Sequence, residues 1–278
     1  MEFAAIGGVR LAYDLRGSDE NGTVVLAGGT GMPPLVWDMC GLSTALKDSG
    51  YRVLTYSARG VAPSDAPPPP YSIGDLADDL AGLLESLGIA DCDLVGYSLG
   101  GCMAELLVRQ RPDLIRNAVF LAGGGRPGPV AMAMCDTEAE MIATLGYLPP
   151  PWIRFMELVT SLPSSVLRDD TVEVAKWWEL LSAHDASWTS ADGTTGQSAA
   201  GTDWVRDTDR IARLSEISVP VLVVCFEHDL FFPPKTGRAT AAAIPRGKFI
   251  EIPDAAHGGL ITHSAQCHSA IGNFLSAG

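Results

Sequence analysis

The chain has 278 residues, of which 47% are hydrophobic and 19% charged, so it can bury a sizeable core and lacks the composition of a disordered or coiled-coil protein. Its formal net charge is −14, which argues against nucleic acid or an anionic membrane surface as a partner because both would be repelled. The length favours one core with a single elaboration.

Strands and helices alternate through the first 125 residues. Short apolar runs rich in β-branched residues predict strands at 9–15, 23–27, 52–56, 93–96 and 117–121. Apolar residues at every third or fourth position predict helices at 35–49 and 73–87, and each of these segments is followed by a glycine. This order predicts parallel strands joined by crossover helices.

Residues 126–206 interrupt the alternation. This segment carries five of the six tryptophans and four of the eight methionines, and it contains no convincing strand. Its polar tract SADGTTGQSAAG, at 190–201, is predicted to be a loop. We interpret the segment as a helical cap subdomain whose aromatic residues either pack within it or line an apolar pocket.

The alternation resumes from residue 207 to residue 278. VPVLVVCF predicts a buried strand, 235–244 a helix, 248–252 a strand and 260–275 a closing helix. The predicted fold is therefore α/β, with a mostly parallel central sheet flanked by helices. Its core domain comprises 1–125 and 207–278, and the cap is inserted between them.

The sequence LVGYSLGG places Ser98 at the junction of a predicted strand and a predicted helix. A sharp turn at that junction strains the serine backbone and brings neighbouring chain close, which explains the glycines at positions 96 and 100. Backbone N–H groups at the helix N-terminus can stabilise an oxyanion. G-x-S-x-G alone is common, but in this position it predicts a nucleophilic serine.

A serine nucleophile needs a base and an orienting carboxylate. His257 lies in IPDAAHGGL, a loop directly after the last predicted strand, and Asp229 ends the buried strand VPVLVVCF in the sequence EHD. We prefer Asp229 to Glu227, although Asp229 could instead cap the next helix. Of the other histidines, His184 lies in the cap and His228 adjoins the carboxylate, and the remaining two lie on or beside the last helix.

The oxyanion is expected to bind two backbone N–H groups. One is that of Leu99, directly after the serine, and the second comes from the glycine-rich loop TVVLAGGTGMPPLVWD. We favour Thr30 in that loop, with Gly29 as the alternative.

Together these segments resemble the α/β-hydrolase superfamily, in particular its capped branch of serine esterases, cofactor-free haloperoxidase-like proteins, C–C bond hydrolases and epoxide hydrolases. The resemblance rests on four signatures outside the cap: GGTG followed by Trp37, YSARGVAPS, GYSLGG, and EHDLFFPP with DAAHGG. Two departures are Gly28-Gly29, where relatives often have His-Gly, and Ser57, where they have aspartate. Ser98 argues against epoxide hydrolases and haloalkane dehalogenases, which resemble this chain but use an aspartate nucleophile.

The resemblance implies a serine hydrolase that cleaves an ester, a thioester or a lactone without a metal or other cofactor. The tryptophans and methionines of the cap suggest a small-molecule substrate that is mostly apolar, bound against Trp37, Trp152 and Trp177. Two alternatives remain open: a lyase, cyclase or acyltransferase that uses the same triad, and a ligand-binding protein without catalysis.

Cysteine usage and the N-terminal sequence bear on the compartment. Six cysteines are scattered without a CxxC pair or a zinc-like spacing, which favours buried, reduced thiols in a cytoplasmic protein. The first residues show no basic start followed by a long apolar stretch, and no apolar window of 18 residues follows. Neither an export signal nor a membrane anchor is expected.

Overall fold

The computed structural model describes residues 1–184 and 187–277, the side chain of His184 excepted. Within these residues eight strands form one sheet in the order β1-β2-β4-β3-β5-β6-β7-β8. The strands β1 to β8 span Glu2–Ile6, Val9–Arg16, Thr23–Ala27, Arg52–Tyr56, Cys92–Tyr97, Ile115–Leu121, Val221–Phe226 and Gly247–Ile252. The pairings β1–β2 and β2–β4 are antiparallel and the other five are parallel, which confirms the predicted sheet. Only β1 was not predicted.

Seven helices belong to the body around the sheet. They are α1 (Leu35–Met39), α2 (Leu42–Asp48), α3 (Ile73–Ser86), α4 (Leu99–Gln110), α10 (Pro234–Ala243), α11 (Gly259–Thr262) and α12 (Ser264–Leu275). The single helix predicted at 35–49 is wrong in one respect, because Gly41 has a φ of 79° and breaks it into α1 and α2. The closing helix is likewise interrupted at His263.

Five further helices lie between β6 and β7, and we call this segment, residues 129–206, the helical insertion. They are α5 (Pro129–Leu145), α6 (Pro150–Ser161), α7 (Ser164–Asp169), α8 (Thr171–His184) and α9 (Ala191–Arg206). A 3₁₀ helix at Asp209–Glu216 leads from the insertion back to the sheet.

The loop predicted at 190–201 is wrong, since α9 covers nearly all of it. Three glycines give this segment a low intrinsic helix propensity. The helix forms because those small residues let it lie directly on the body: a Cβ at Gly196 would collide with the ring of Tyr71, and one at Gly193 with the backbone of Gly60. Tertiary packing therefore decides its structure.

The sheet separates two apolar layers. On one face α3 and α4 pack against β5 and β6, and on the other Trp37, Leu42, Leu46, Ile271 and Phe274 cover the same strands. Parallel strands end at one edge of a sheet, so the carboxyl ends of β3, β5, β6, β7 and β8 all meet there. The insertion leaves the body at this edge, after β6. None of the described helices is both long and apolar enough to cross a membrane.

Candidate active site

Ser98 lies between β5 and α4 in a backbone conformation that residues with a side chain rarely adopt, with φ 53° and ψ −116°. The turn is possible because the residues two positions before and two positions after Ser98 are glycines. A Cβ at Gly96 would collide with the carbonyl oxygen of Gly100, and a Cβ at Gly100 with that of Ala27. The glycines of G-x-S-x-G are therefore required by close backbone contacts.

The structure brings Ser98, His257 and Asp229 together. Nε2 of His257 lies 3.0 Å from Oγ of Ser98, and Nδ1 lies 2.9 Å from Oδ2 of Asp229. A carboxylate can only accept hydrogen bonds, so it fixes the imidazole proton on Nδ1 and leaves Nε2 to accept from the serine hydroxyl. This arrangement can take a proton from Ser98 and stabilise the resulting imidazolium.

The carboxylate of Asp229 is buried and fully bonded. While Oδ2 faces His257, Oδ1 accepts the backbone N–H groups of Phe231 (2.7 Å) and Phe232 (3.0 Å). The capping role considered for this residue and its contact with His257 therefore coexist, one on each oxygen. Glu227, the rejected alternative, is exposed and accepts the backbone N–H of Asp254.

His257 is held by both the sheet and the insertion. The hydroxyl of Tyr97 donates to the backbone carbonyl of His257 at 2.8 Å, and the backbone N–H of His257 donates to the carbonyl of Thr160 in α6 at 3.2 Å. Burial raises the pKa of Tyr97 far above its usual range, so this donor keeps its proton. The ring of Phe231 lies edge-on to the imidazole, 4.9 Å between centroids.

The two predicted oxyanion donors lie beside Ser98. Leu99 is the first residue of α4, and Thr30 belongs to the loop after β3, where a Cβ at neighbouring Gly29 would come within 3.1 Å of the Ser98 Cβ. Within the described part of the chain, the N–H of neither residue donates a hydrogen bond to another backbone group of the loops and turns. Both groups can therefore donate to an oxygen that is placed next to Ser98.

A cavity of about 560 Å³ opens between these groups and the insertion. Its wall is mostly apolar, and its lining includes Met32, Val36, Met134, Met156, Leu180 and Val205. Two acidic residues, Glu138 and Glu157, also line it. Burial raises the pKa of Glu138, while a hydrogen bond from the Ser198 hydroxyl (2.6 Å) opposes that rise.

The expectation that three tryptophans line the pocket is wrong for two of them. Trp177 lines the cavity, but Trp37 and Trp152 do not. The side chain of Trp37 is only 1% exposed and lies in the apolar layer beneath the sheet, because α1 turns that face toward the body. Trp152 lies on α6 next to Ile153, and it is Ile153 that faces the cavity.

The other three histidines whose side chains the structure describes do not reach the site. His228 is exposed beside Glu227 and Asp254, and His263 bonds to the neighbouring Thr262. His268 packs near Gly41. The side chain of His184 lies outside the described part of the chain. The six cysteines are buried and free.

A mostly parallel sheet with a serine, an aspartate and a histidine after the carboxyl ends of β5, β7 and β8 defines the class of α/β hydrolases. The chain belongs to the alpha/beta hydrolase fold family, whose model matches residues 24–264.

Individual relatives cover almost the whole chain. "Putative non-heme bromoperoxidase BpoC" of Mycobacterium tuberculosis is 30% identical over 97% of this chain and 98% of its own length, and its crystal structure gives a TM-score of 0.84 with 96% of each chain covered. A hydrolase from Pseudomonas aeruginosa PA01 is 28% identical, with a TM-score of 0.83 over 99% of this chain and 97% of that one. The enol-lactonase from Burkholderia xenovorans LB400 is 25% identical, with a TM-score of 0.78 over 99% and 100%.

Sequence reasoning missed the residues of the insertion that contact the site. Methionine content signalled the apolar lining in general terms, but nothing marked Glu138 or Gln197 individually. Gln197 is 1% exposed and lies in the tract that was interpreted as a loop. A lone glutamine in a polar tract carries no signal of burial, so only the three-dimensional contacts reveal it.

Proposed function

We propose that this protein is a serine hydrolase that cleaves a carboxylic ester, thioester or lactone of a mostly apolar small molecule through an acyl-enzyme. The observation that carries the proposal is the continuous hydrogen-bonded arrangement from Ser98 through His257 to Asp229 at the floor of an apolar cavity. Similarity to hydrolases, including an enol-lactonase, supports it.

In the first half-reaction Ser98 Oγ attacks the substrate carbonyl while His257 Nε2 takes its proton. The N–H groups of Leu99 and Thr30 stabilise the oxyanion of the tetrahedral intermediate. The carbon–oxygen or carbon–sulfur bond to the leaving group then breaks, and His257 returns the proton to the departing alcohol or thiol. Asp229 holds the imidazole and stabilises its charged form.

In the second half-reaction a water molecule loses a proton to His257 and attacks the acyl-enzyme. Breaking the bond between Ser98 and the acyl carbon releases a carboxylic acid and restores the serine hydroxyl. No step requires a metal or an organic cofactor. Over this centre the helical insertion would act as a cap, with its methionines and leucines against the apolar part of the substrate.

Replacing Ser98 tests the nucleophile. We expect Ser98→Ala to lower kcat on nitrophenyl esters by about 10⁴-fold or more and to abolish labelling by a fluorophosphonate, because no hydroxyl remains to form the covalent bond. The matched control is Ser269→Ala, at an exposed serine of α12. We expect it to behave as wild type in both assays.

Mass analysis of the labelled protein locates the modification. A fluorophosphonate adduct on the peptide that contains Ser98 supports the proposal, and His257→Ala should prevent its formation at a measurable rate. If wild-type protein neither labels nor hydrolyses any ester in the panel, or if Ser98→Ala keeps its activity, the serine-hydrolase proposal fails.

A further inference from the structure

The loop that carries Thr30, residues 28–32, is shaped by a tight turn. The N–H of Met32 donates to the carbonyl of Gly29 at 3.1 Å, and Gly31 has a φ of 64°, as the third residue of a type II turn requires. In a trans peptide the carbonyl and the N–H point in opposite directions. With the Gly29 carbonyl turned toward Met32, the Thr30 N–H points to the opposite side.

The helical insertion binds this turn through a buried glutamine. Oε1 of Gln197 accepts the N–H of Gly31 at 2.9 Å, and its Nε2 donates to the backbone carbonyl of Arg59 at 2.8 Å. Since one partner can only donate and the other can only accept, the orientation of the side-chain amide is unambiguous. From the other side, the Ser187 hydroxyl donates to the carbonyl of Gly31 at 2.7 Å.

The second partner of Gln197 is itself rigidly held. The guanidinium of Arg59 donates to both carboxylate oxygens of Asp79 in α3, at 2.7 and 2.8 Å. Directly after Arg59, the backbone of Gly60 lies against the backbone of Gly193 in α9. Gln197 therefore spans two segments of the body, one fixed by an ion pair and one that carries the Thr30 N–H.

Three of the five residues of the loop, at 28, 29 and 31, are glycine and have no side chain that could fix the turn. We propose that Gln197, together with Ser187, is a positioning residue that holds the 28–32 loop so that the Thr30 N–H is aimed at the oxyanion next to Ser98. The proposal rests on the proposed serine-hydrolase function. It means that the oxyanion site is completed by the insertion and not by the body alone.

The same contacts could instead serve only to attach the helical insertion to the body. Enzyme kinetics distinguish this attachment role from the positioning role. A positioning role affects the transition state more than the bound substrate, so it appears in kcat and in the affinity for a transition-state analogue. An attachment role appears in thermal stability, or in KM through a disturbed cavity wall.

Gln197→Met is the direct test, because methionine has nearly the same length and makes neither hydrogen bond. We expect kcat on a nitrophenyl ester to fall about 10- to 100-fold with KM changed by less than about threefold, a loss below that of removing an oxyanion donor outright. Affinity for an aryl trifluoromethyl ketone, whose hemiketal places an oxyanion at the site, should fall by a similar factor.

Thr202→Val is the matched control on the same helix. Thr202 is buried in α9, beside Cys135 and away from the 28–32 loop, so this variant also removes a buried polar group. We expect a lower melting temperature, with kcat and ketone affinity as in wild type. If Gln197→Met does not fold, Ser187→Ala removes only the bond to the Gly31 carbonyl and should lower kcat at constant KM.

The outcomes distinguish the two proposals. If Ser98→Ala is inactive and the folded Gln197→Met or Ser187→Ala protein keeps wild-type kcat and ketone affinity, the positioning role is overturned and the hydrolase proposal stands. A Gln197→Met protein that loses kcat only as much as Thr202→Val also overturns it. If Ser98→Ala stays active, the failure lies in the hydrolase proposal itself.

Discussion

Ser98 shows why part of this site can be predicted from the sequence. Its position depends on contacts between backbones, and those contacts admit only glycine at 96 and 100. Asp229 and His257 are similarly recognisable because each lies in the loop after a predicted strand, at the edge of the sheet where Ser98 lies. Gln197 and Ser187 are not, because their partner in the 28–32 loop lies more than 150 positions away and neither residue type signals such a contact.

Cys102 also lines the cavity, one turn of α4 beyond Ser98, and burial raises the pKa of its thiol to about 11. The thiol therefore stays protonated and unreactive at neutral pH. We expect iodoacetamide at pH 8 to leave ester hydrolysis intact, whereas the same reagent in urea should alkylate all six cysteines by mass. Inactivation of the folded protein, prevented by a competing substrate, would show that a cysteine takes part.

At the scale of elements, one buried ion pair joins α4 to both ends of the insertion. Arg210, 1% exposed, donates to the carboxylate of Glu105 in α4 and also to the backbone carbonyls of Gly125 and Trp204. The helix that follows the serine and the two connections of the insertion are thereby fixed to each other. Predicting strands and helices from the sequence cannot reveal this buried ion pair, since Glu105 lies within an otherwise apolar helix.

Removing the arginine tests this ion pair. We expect Arg210→Met to lower the free energy of unfolding by about 3–5 kcal/mol in urea denaturation, because Glu105 would remain buried without its partner. The double variant Glu105→Gln/Arg210→Met should lose less, since no charge is left buried. Arg206→Met removes an exposed partner of Asp136 and should change stability little. An Arg210→Met protein as stable as wild type would contradict the structural role of the pair.

The pH dependence of Arg210→Met has a definite sign. Burial raises the pKa of Glu105, and the Arg210 guanidinium opposes that rise, so its removal lifts the pKa further. A carboxyl whose pKa is higher in the folded than in the unfolded state favours folding at low pH, and that contribution is lost as the pH rises. We therefore expect the stability deficit of the variant, measured in urea, to be larger at pH 8 than at pH 5. An equal deficit at both values would contradict this.

At the scale of the whole molecule, acidic residues predominate and two of them line the cavity. The net charge is −14, and Glu138 and Glu157 of the insertion are part of the cavity wall. An anionic substrate is therefore expected to be repelled on approach, and the acidic residues of the cavity wall would add to that repulsion where they are ionised. The composition alone predicted the repulsion on approach. The presence of acidic residues in the cavity wall depends on the packing of α5 and α6 and was not visible in the sequence.

The dependence of kcat/KM on salt concentration measures this electrostatic repulsion. For two nitrophenyl esters of similar size, one neutral and one with a carboxylate on its acyl group, we expect kcat/KM to be lower for the anionic ester at about 20 mM salt. The gap should narrow at about 500 mM, where the screening length falls to a few ångströms. A ratio that does not change with salt would show that charge does not steer the substrate.

The hydrogen bond between Ser98 and His257 joins residues 159 positions apart, and that between Gly31 and Gln197 spans 166. During synthesis Ser98 thus leaves the ribosome well before His257, and the 28–32 loop well before Gln197. Contacts so distant in sequence form late in folding, after the chain between them has been ordered. On the proposed mechanism, a nascent chain therefore gains hydrolytic activity only after β8 and the loop after it have emerged and docked on the finished sheet.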